Sequence, residues 1–160
     1  MLTQVCAGLA LEIPEGWELQ VQADEELHCD QIELSKGSAR VAIEVIASST
    51  NTREFADSFR FFFLGELVEA GCQVKSPMNS PKGWILADHP DFEGPIMHLI
   101  RTGAPLLHIS AASMSDKRLQ EELITLGESI VLDNTAWDLS DSTPGSVLPM
   151  KLVAGMWERH

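Results

Sequence analysis

Basic residues are missing from the start of this chain. No Lys or Arg precedes Lys36, while eight acids occupy that span: Glu12, Glu15, Glu18, Asp24, Glu25, Glu26, Asp30 and Glu33. Over 160 residues the formal net charge is −13. A surface this acidic repels phosphate backbones and anionic lipid, which argues against nucleic-acid and membrane-surface roles. Two readings of the charge stay open, attraction of a basic protein partner and plain solubility. Cysteine is scarce as well. Cys6, Cys29 and Cys72 make an odd count without metal-ligand spacing, which reads as reduced thiols in a cytoplasmic setting. No window approaches the roughly 18 apolar residues of a membrane span, so no membrane insertion is expected. The apolar run from Val5 to Leu11 has no basic flank and stops at Glu12, a poor secretory signal and a good first strand.

Catalytic signatures are also lacking. There is no Gly-x-Ser-x-Gly elbow, no phosphate-cradling glycine loop and no dinucleotide fingerprint. Neighbouring His28 and Cys29 point to opposite faces of a strand, which excludes a thiolate–imidazole pair. Solenoid-type repeats are absent too.

What is present is a globular composition, with 44% hydrophobic residues and a mean hydropathy of +0.01. That suits one domain large enough to bury a real core. Alternation predicts strands at Leu9 to Ile13, Trp17 to Val21, His28 to Leu34 and Ala39 to Ala47, joined by short polar turns as an antiparallel meander. The strongest single feature is Asn51 to Gly71, NTREFADSFRFFFLGELVEAG. Asn51 can cap a helix there, Glu54 can close a capping box, and Gly71 supplies the stop. Phe55, Phe59, Phe62, Phe63, Leu67 and Ala70 form a broad apolar stripe at helical spacing. Phe61, Leu64 and Val68 form a second, narrower one.

Further strands are predicted at Cys72 to Lys75 and Gly83 to Ala87. A hairpin follows, Ile96 to Arg101 with Pro105 to Ala112, turning around Gly103. A helix from Asp116 to Ile130 carries Leu119, Leu123, Leu126 and Ile130 on one face. Strands run consecutively rather than alternating with helices, so the class is α+β, an antiparallel sheet flanked by helices. The predicted division is a single sandwich domain over 1–133, then a polar linker and apolar C-terminal tail over 134–160.

That element order, with Ile13-Pro14-Glu15-Gly16-Trp17 leading into the second strand, resembles the Mog/PsbP-like α/β/α sandwich. The group includes photosystem II PsbP-like proteins, Ran-binding Mog proteins, DcrB-like bacterial proteins and the effector-associated (Eag) chaperones of type VI secretion. The resemblance spans Val5 to Asp133. It implies a non-enzymatic binding protein, an adaptor or chaperone, with an effector-chaperone-like role its most specific form. It carries over no ligand or partner residue, and no cofactor.

Two constellations could carry chemistry. With the hairpin centred on Gly103, His98 and His108 stand opposite each other with Cβ atoms about 5 Å apart. Such a pair can bind a metal such as zinc, or it can be two partly buried core imidazoles. Asp88, His89, Asp91 and Glu93 crowd one proline-stiffened loop, either a cation site or a solvated acidic turn. The second helical stripe points elsewhere. Phe61, Leu64 and Val68 need cover, either from Val147, Leu148, Leu152, Val153, Met156 and Trp157 of the tail or from a protein partner or second copy. The expectation is thus a cytoplasmic protein-binding module using Phe61, Leu64 and Val68. A metal-binding protein or small enzyme centred on His98 and His108 is the alternative.

Overall fold

A computed structural model of the chain describes residues 2–21, 28–75, 84–137, 139 and 142–152. The strands are β1 (Leu2–Cys6), β2 (Leu9–Glu12), β3 (Glu18–Val21), β4 (His28–Cys29), β5 (Ile32–Lys36), β6 (Ala39–Ile46), β7 (Gln73–Lys75), β8 (Trp84–Asp88), β9 (Pro95–Arg101), β10 (Leu106–Ala112), β11 (Val131–Leu132) and β12 (Met150–Lys151). The helices are α1 (Thr52–Glu69) and α2 (Lys117–Ser129), with a 3-10 turn at Asn134–Ala136. The class is α+β. Seven strands form one antiparallel sheet in the order β3-β5-β6-β10-β9-β8-β7, and two small sheets, β1-β2-β11 and β12-β4, accompany it.

The pleat of the large sheet separates two cores. Register pairs Ile43 with Ile109 and Val45 with Leu107 on one face, and Glu44 with His108 and Ile46 with Leu106 on the other. The first face carries Val41, Ile43, Val45, Met97, Leu99, Leu107 and Ile109 into the larger core, which α2 closes with Leu123, Leu126 and Ile130. The small sheet adds Leu9 and Leu11 to that core. The second face carries Ile46, Ile85, Ile100 and Leu106 under α1. Each helix therefore shields one face of the sheet, because strand residues alternate sides and both sides are apolar.

Several sequence expectations need correction. The run from Val5 to Leu11 is a hairpin and not one strand: Ala7 and Gly8 turn it, with Gly8 at φ +85. A Cβ on Gly8 would meet the Ala136 side chain at 2.5 Å, so only glycine fits that turn. β2 leaves the predicted meander to pair with β1 and β11. The predicted strand from His28 to Leu34 breaks at Asp30, because His28 and Cys29 pair with Lys151 and Met150 near the C-terminus. Leu148, Met150 and Leu152 are buried in the larger core, away from α1. Tail cover for α1 is thus not supplied by these residues. Val153, Met156 and Trp157 lie outside the described residues.

The larger core is tied to its rim by one polar cluster. Fully buried Trp17 donates its indole N–H to Glu122 of α2 at 2.9 Å, and Lys36 pairs with the same carboxylate at 3.1 Å. These two donors hold the Glu122 carboxyl below its usual range despite some desolvation. Closer in, α2 lies against the sheet at Gly127, where an added Cβ would stand 2.8 Å from Trp84 and 3.0 Å from Leu99. We expect Gly127→Ala to destabilise the fold by about 1–3 kcal/mol through overpacking, although alanine favours a helix. Urea unfolding checks this, and an unchanged or raised midpoint would contradict the close approach.

Candidate functional site

α1 begins as its sequence requires. The Asn51 side chain accepts the Glu54 backbone N–H at 3.1 Å, and the Glu54 carboxylate accepts from the Asn51 side-chain amide at 3.1 Å. It ends in a Schellman pattern, with Cys72 N–H donating to Leu67 O at 2.9 Å, Gly71 N–H to Val68 O at 3.0 Å, and Gly71 at φ +86.

Only part of this helix is hidden. Ala56 is its one fully buried residue, and Phe55, Phe59, Phe63, Leu64 and Leu67 pack beside it on the sheet. Phe61, Phe62 and Val68 are exposed by 81%, 67% and 63%. Three assignments change. Leu64, predicted on the outer stripe, packs inward, while Phe62 and Ala70, predicted on the broad stripe, are exposed, Ala70 as the C-cap. On the helical wheel Leu64 lies about 80° from Ala56 and Phe62 about 120°, so the rotation that seats Ala56 on the sheet decides both. Gly65 falls about 180° from Ala56, at the centre of the outer face. Among the described residues a Cβ there would meet nothing within 4 Å. Exposed Glu54, Asp57, Glu66 and Glu69 surround this apolar strip.

Beneath α1 sit both histidines. They are diagonal neighbours rather than directly opposite: His98 pairs with Ser110 and His108 with Ile100. The β9–β10 ladder closes on Arg101 paired with Leu107, so the hairpin is centred on Ala104 and not Gly103. The rings are stacked, with centroids 5.6 Å apart and planes 15° from parallel. Phe63 meets both edge to face, at 4.7 Å and 5.1 Å. His108 donates from Nδ1 to Glu44 at 2.7 Å, since a carboxylate can only accept. Among the described residues His98 Nδ1 and His108 Nε2 are buried without a hydrogen-bond partner.

Nitrogen lone pairs lie in the ring plane, so stacked rings do not aim them at one ion, and this arrangement makes no chelate. Among the described residues no group of three or more His, Cys, Asp or Glu side chains is placed to hold a metal. In the acidic loop, Asp88 pairs with Lys75 at 3.1 Å, and His89 Nδ1 accepts the Asp91 backbone N–H at 3.1 Å while its ring meets Phe92. Burial, reinforced by Cys29, pushes the Cys6 thiol up to about 12, which denies it nucleophilic character.

The sequence reading passes over three arginines. Arg53 and Arg60 of α1 and Arg101 at the end of β9 line one cavity, although no local motif joins them. It also passes over Gly65, whose signal was a glycine inside an otherwise strong helix.

Burial first, then the neighbouring His108, lowers His98 to about 3. Its pKa when unfolded is near 6.5, so unfolding takes up a proton between these values. The neutral imidazole's stability is fully present above about pH 6.5 and is lost as pH falls towards 3. We expect His98→Phe to flatten the fall in unfolding free energy between pH 7 and pH 5 by about 1–2 kcal/mol. Parallel wild-type and variant curves in urea would contradict this.

No family model, curated protein or solved structure matches this chain.

Proposed function

We propose that this protein is a non-catalytic binding module, an adaptor or chaperone, that docks a partner protein on the outer face of α1. The observation that carries this reading is the strip of Phe61, Phe62 and Val68 around Gly65. Two phenylalanines this exposed on one helix face are an unusual expense in solubility, and such patches mark interaction sites. Gly65 sharpens the argument. A glycine inside an exposed helix is destabilising by about 1 kcal/mol relative to alanine. Among the described residues nothing occupies the space its missing Cβ leaves. A partner helix crossing at Gly65 would use that space, with the two phenylalanines and Val68 packing along its flanks.

The rim selects the partner's charge. Glu54, Asp57, Glu66 and Glu69 surround the strip, so the occupant is an amphipathic helix with an apolar face and basic flanks. The acidic N-terminal region would speed encounter with such a partner. Cys6, Cys29 and Cys72 form no disulfide, which suits the cytoplasmic setting of this reading. A seven-stranded antiparallel sheet with a helix on each face accords with a Mog/PsbP-like sandwich, the finer fold we propose. A metal-centred alternative at His98 and His108 has no comparable support, because their stacked rings do not converge.

Gly65→Ala tests the idea through opposite signs. We expect the isolated protein to gain up to about 1 kcal/mol of stability from helix propensity, while a partner captured from native lysate is lost. Phe61→Glu should lose the same partner with the fold intact by circular dichroism. If every captured protein survives both substitutions, the outer face is not the docking surface. If sedimentation shows instead that wild type self-associates and Phe61→Glu abolishes it, the occupant is a second copy and the basic partner is refuted.

A further inference from the structure

The sheet face that carries α1 has an end the helix does not cover. α1 rests on Ile46, Ile85, Ile100 and Leu106. Farther along the strands a groove of about 300 Å³ opens on the same face. Register explains the depression. Glu33 of β5 pairs with Ala42 of β6, Ala42 with Ser110 of β10, and Ser110 with His98 of β9. The four form one row across the sheet, about 14 Å from end to end. The middle of the row is small and its ends are long. Ala112, two residues beyond Ser110 and so on the same face, continues the low floor. Ile96 lines the β9 side, and Phe92, 55% exposed, adds an aromatic wall from the loop before β9.

The two ends of the row differ in charge. Glu33 is half-buried, and among the described residues it has no ion pair. Its diagonal neighbour Arg40 is not its partner. Arg40 Nη1 donates instead to Gly37 O at 2.7 Å and Ala39 O at 2.9 Å, towards the β5–β6 turn. At the other end His98 is only 7% exposed, and its Nδ1 has no hydrogen-bond partner among the described residues. Burial first, then His108, lowers this imidazole to about 3, so at neutral pH it carries no charge to repel a cation. Half-buried carboxylates are ordinarily paired. An apolar concavity with a few polar groups at fixed places is the make-up of a small-molecule site.

We propose that this groove binds a small organic amine, an ammonium on a short arm joined to an aromatic or branched aliphatic body. The ammonium pairs with Glu33. The body lies over Ala42, Ser110 and Ala112 and packs against Ile96 and Phe92. A flat ring suits a floor of such short side chains, and Phe92 offers it an aromatic edge or face. The formal charge of −13 favours approach of a cation and disfavours a carboxylate of the same shape. A lysine side chain of another protein would bring the charge without a body to fill the groove. The site lies on the sheet and not on the outer face of α1, so neither reading depends on the other.

Isothermal titration with phenethylamine tests this, with ethylamine and phenylacetate separating charge from shape. Saturable, stoichiometric binding of phenethylamine is expected, with both other probes about tenfold weaker or more. Glu33→Gln should weaken binding about tenfold. Ala42→Leu should fill the floor and abolish it, while Glu128→Gln, on α2 and the opposite face, should leave it unchanged. Backbone amide resonances that shift with phenethylamine should cluster at Ala42, Ser110 and Ala112, which locates the site in the unaltered protein. Phenylacetate or ethylamine binding as tightly as phenethylamine would overturn the proposal. So would an absence of saturable heat, shifts confined to other strands, or equal losses from Glu33→Gln and Glu128→Gln.

Discussion

A helix laid on a sheet can hide only part of its circumference, and that constraint organises this molecule. α1 meets the sheet through one small residue, Ala56, with Phe55, Phe59, Phe63, Leu64 and Leu67 spread on either side. The remaining apolar groups, Phe61, Phe62 and Val68, are then forced outward. No rotation hides all of them, because they lie more than a quarter-turn from the buried face. Gly65 at the apex makes the same point from the opposite direction, since it lacks the side chain that a solvated helix would ordinarily carry there. An excess of oil and a gap in the same strip are the ground for the docking face we propose.

The space under α1 obeys a different rule. Glu44, His108 and His98 form a polar row inside an apolar layer, satisfied at one end by the 2.7 Å contact and capped by Phe63 above both rings. Two bare nitrogens remain. Burial keeps His98 neutral, and the stacked geometry keeps the pair from acting as a chelate. The row lies under Phe63 and helps to seat α1, and acid pH loosens it.

Local signals were legible in the sequence and distant ones were not. Asn51, Glu54 and Gly71 announced the limits of α1, and Asp116 or Ser115 the start of α2, where Asp116 is the cap, because caps are made within a few residues. Spacing of the phenylalanines gave an amphipathic helix but not its rotation, so Leu64 and Phe62 exchanged places. The break after Cys29 came from pairing with Met150, far along the chain. A loop longer than its glycine suggested shifted the two histidines by one diagonal. Arg53, Arg60 and Arg101 line one cavity only because β9 ends beside α1. In each case the missing information was tertiary contact, which propensity and periodicity do not contain.

The most direct measurement of the central claim replaces Phe62 with a photoreactive benzophenone amino acid in the protein's native cells, with Val131, an exposed apolar residue on the small sheet, as the control position. Irradiation should give a discrete adduct of defined mass from position 62, with a basic amphipathic helix in the captured protein, and none from position 131. Absence of any adduct at 62, or the same adducts at both positions, would contradict a docking role for the outer face of α1.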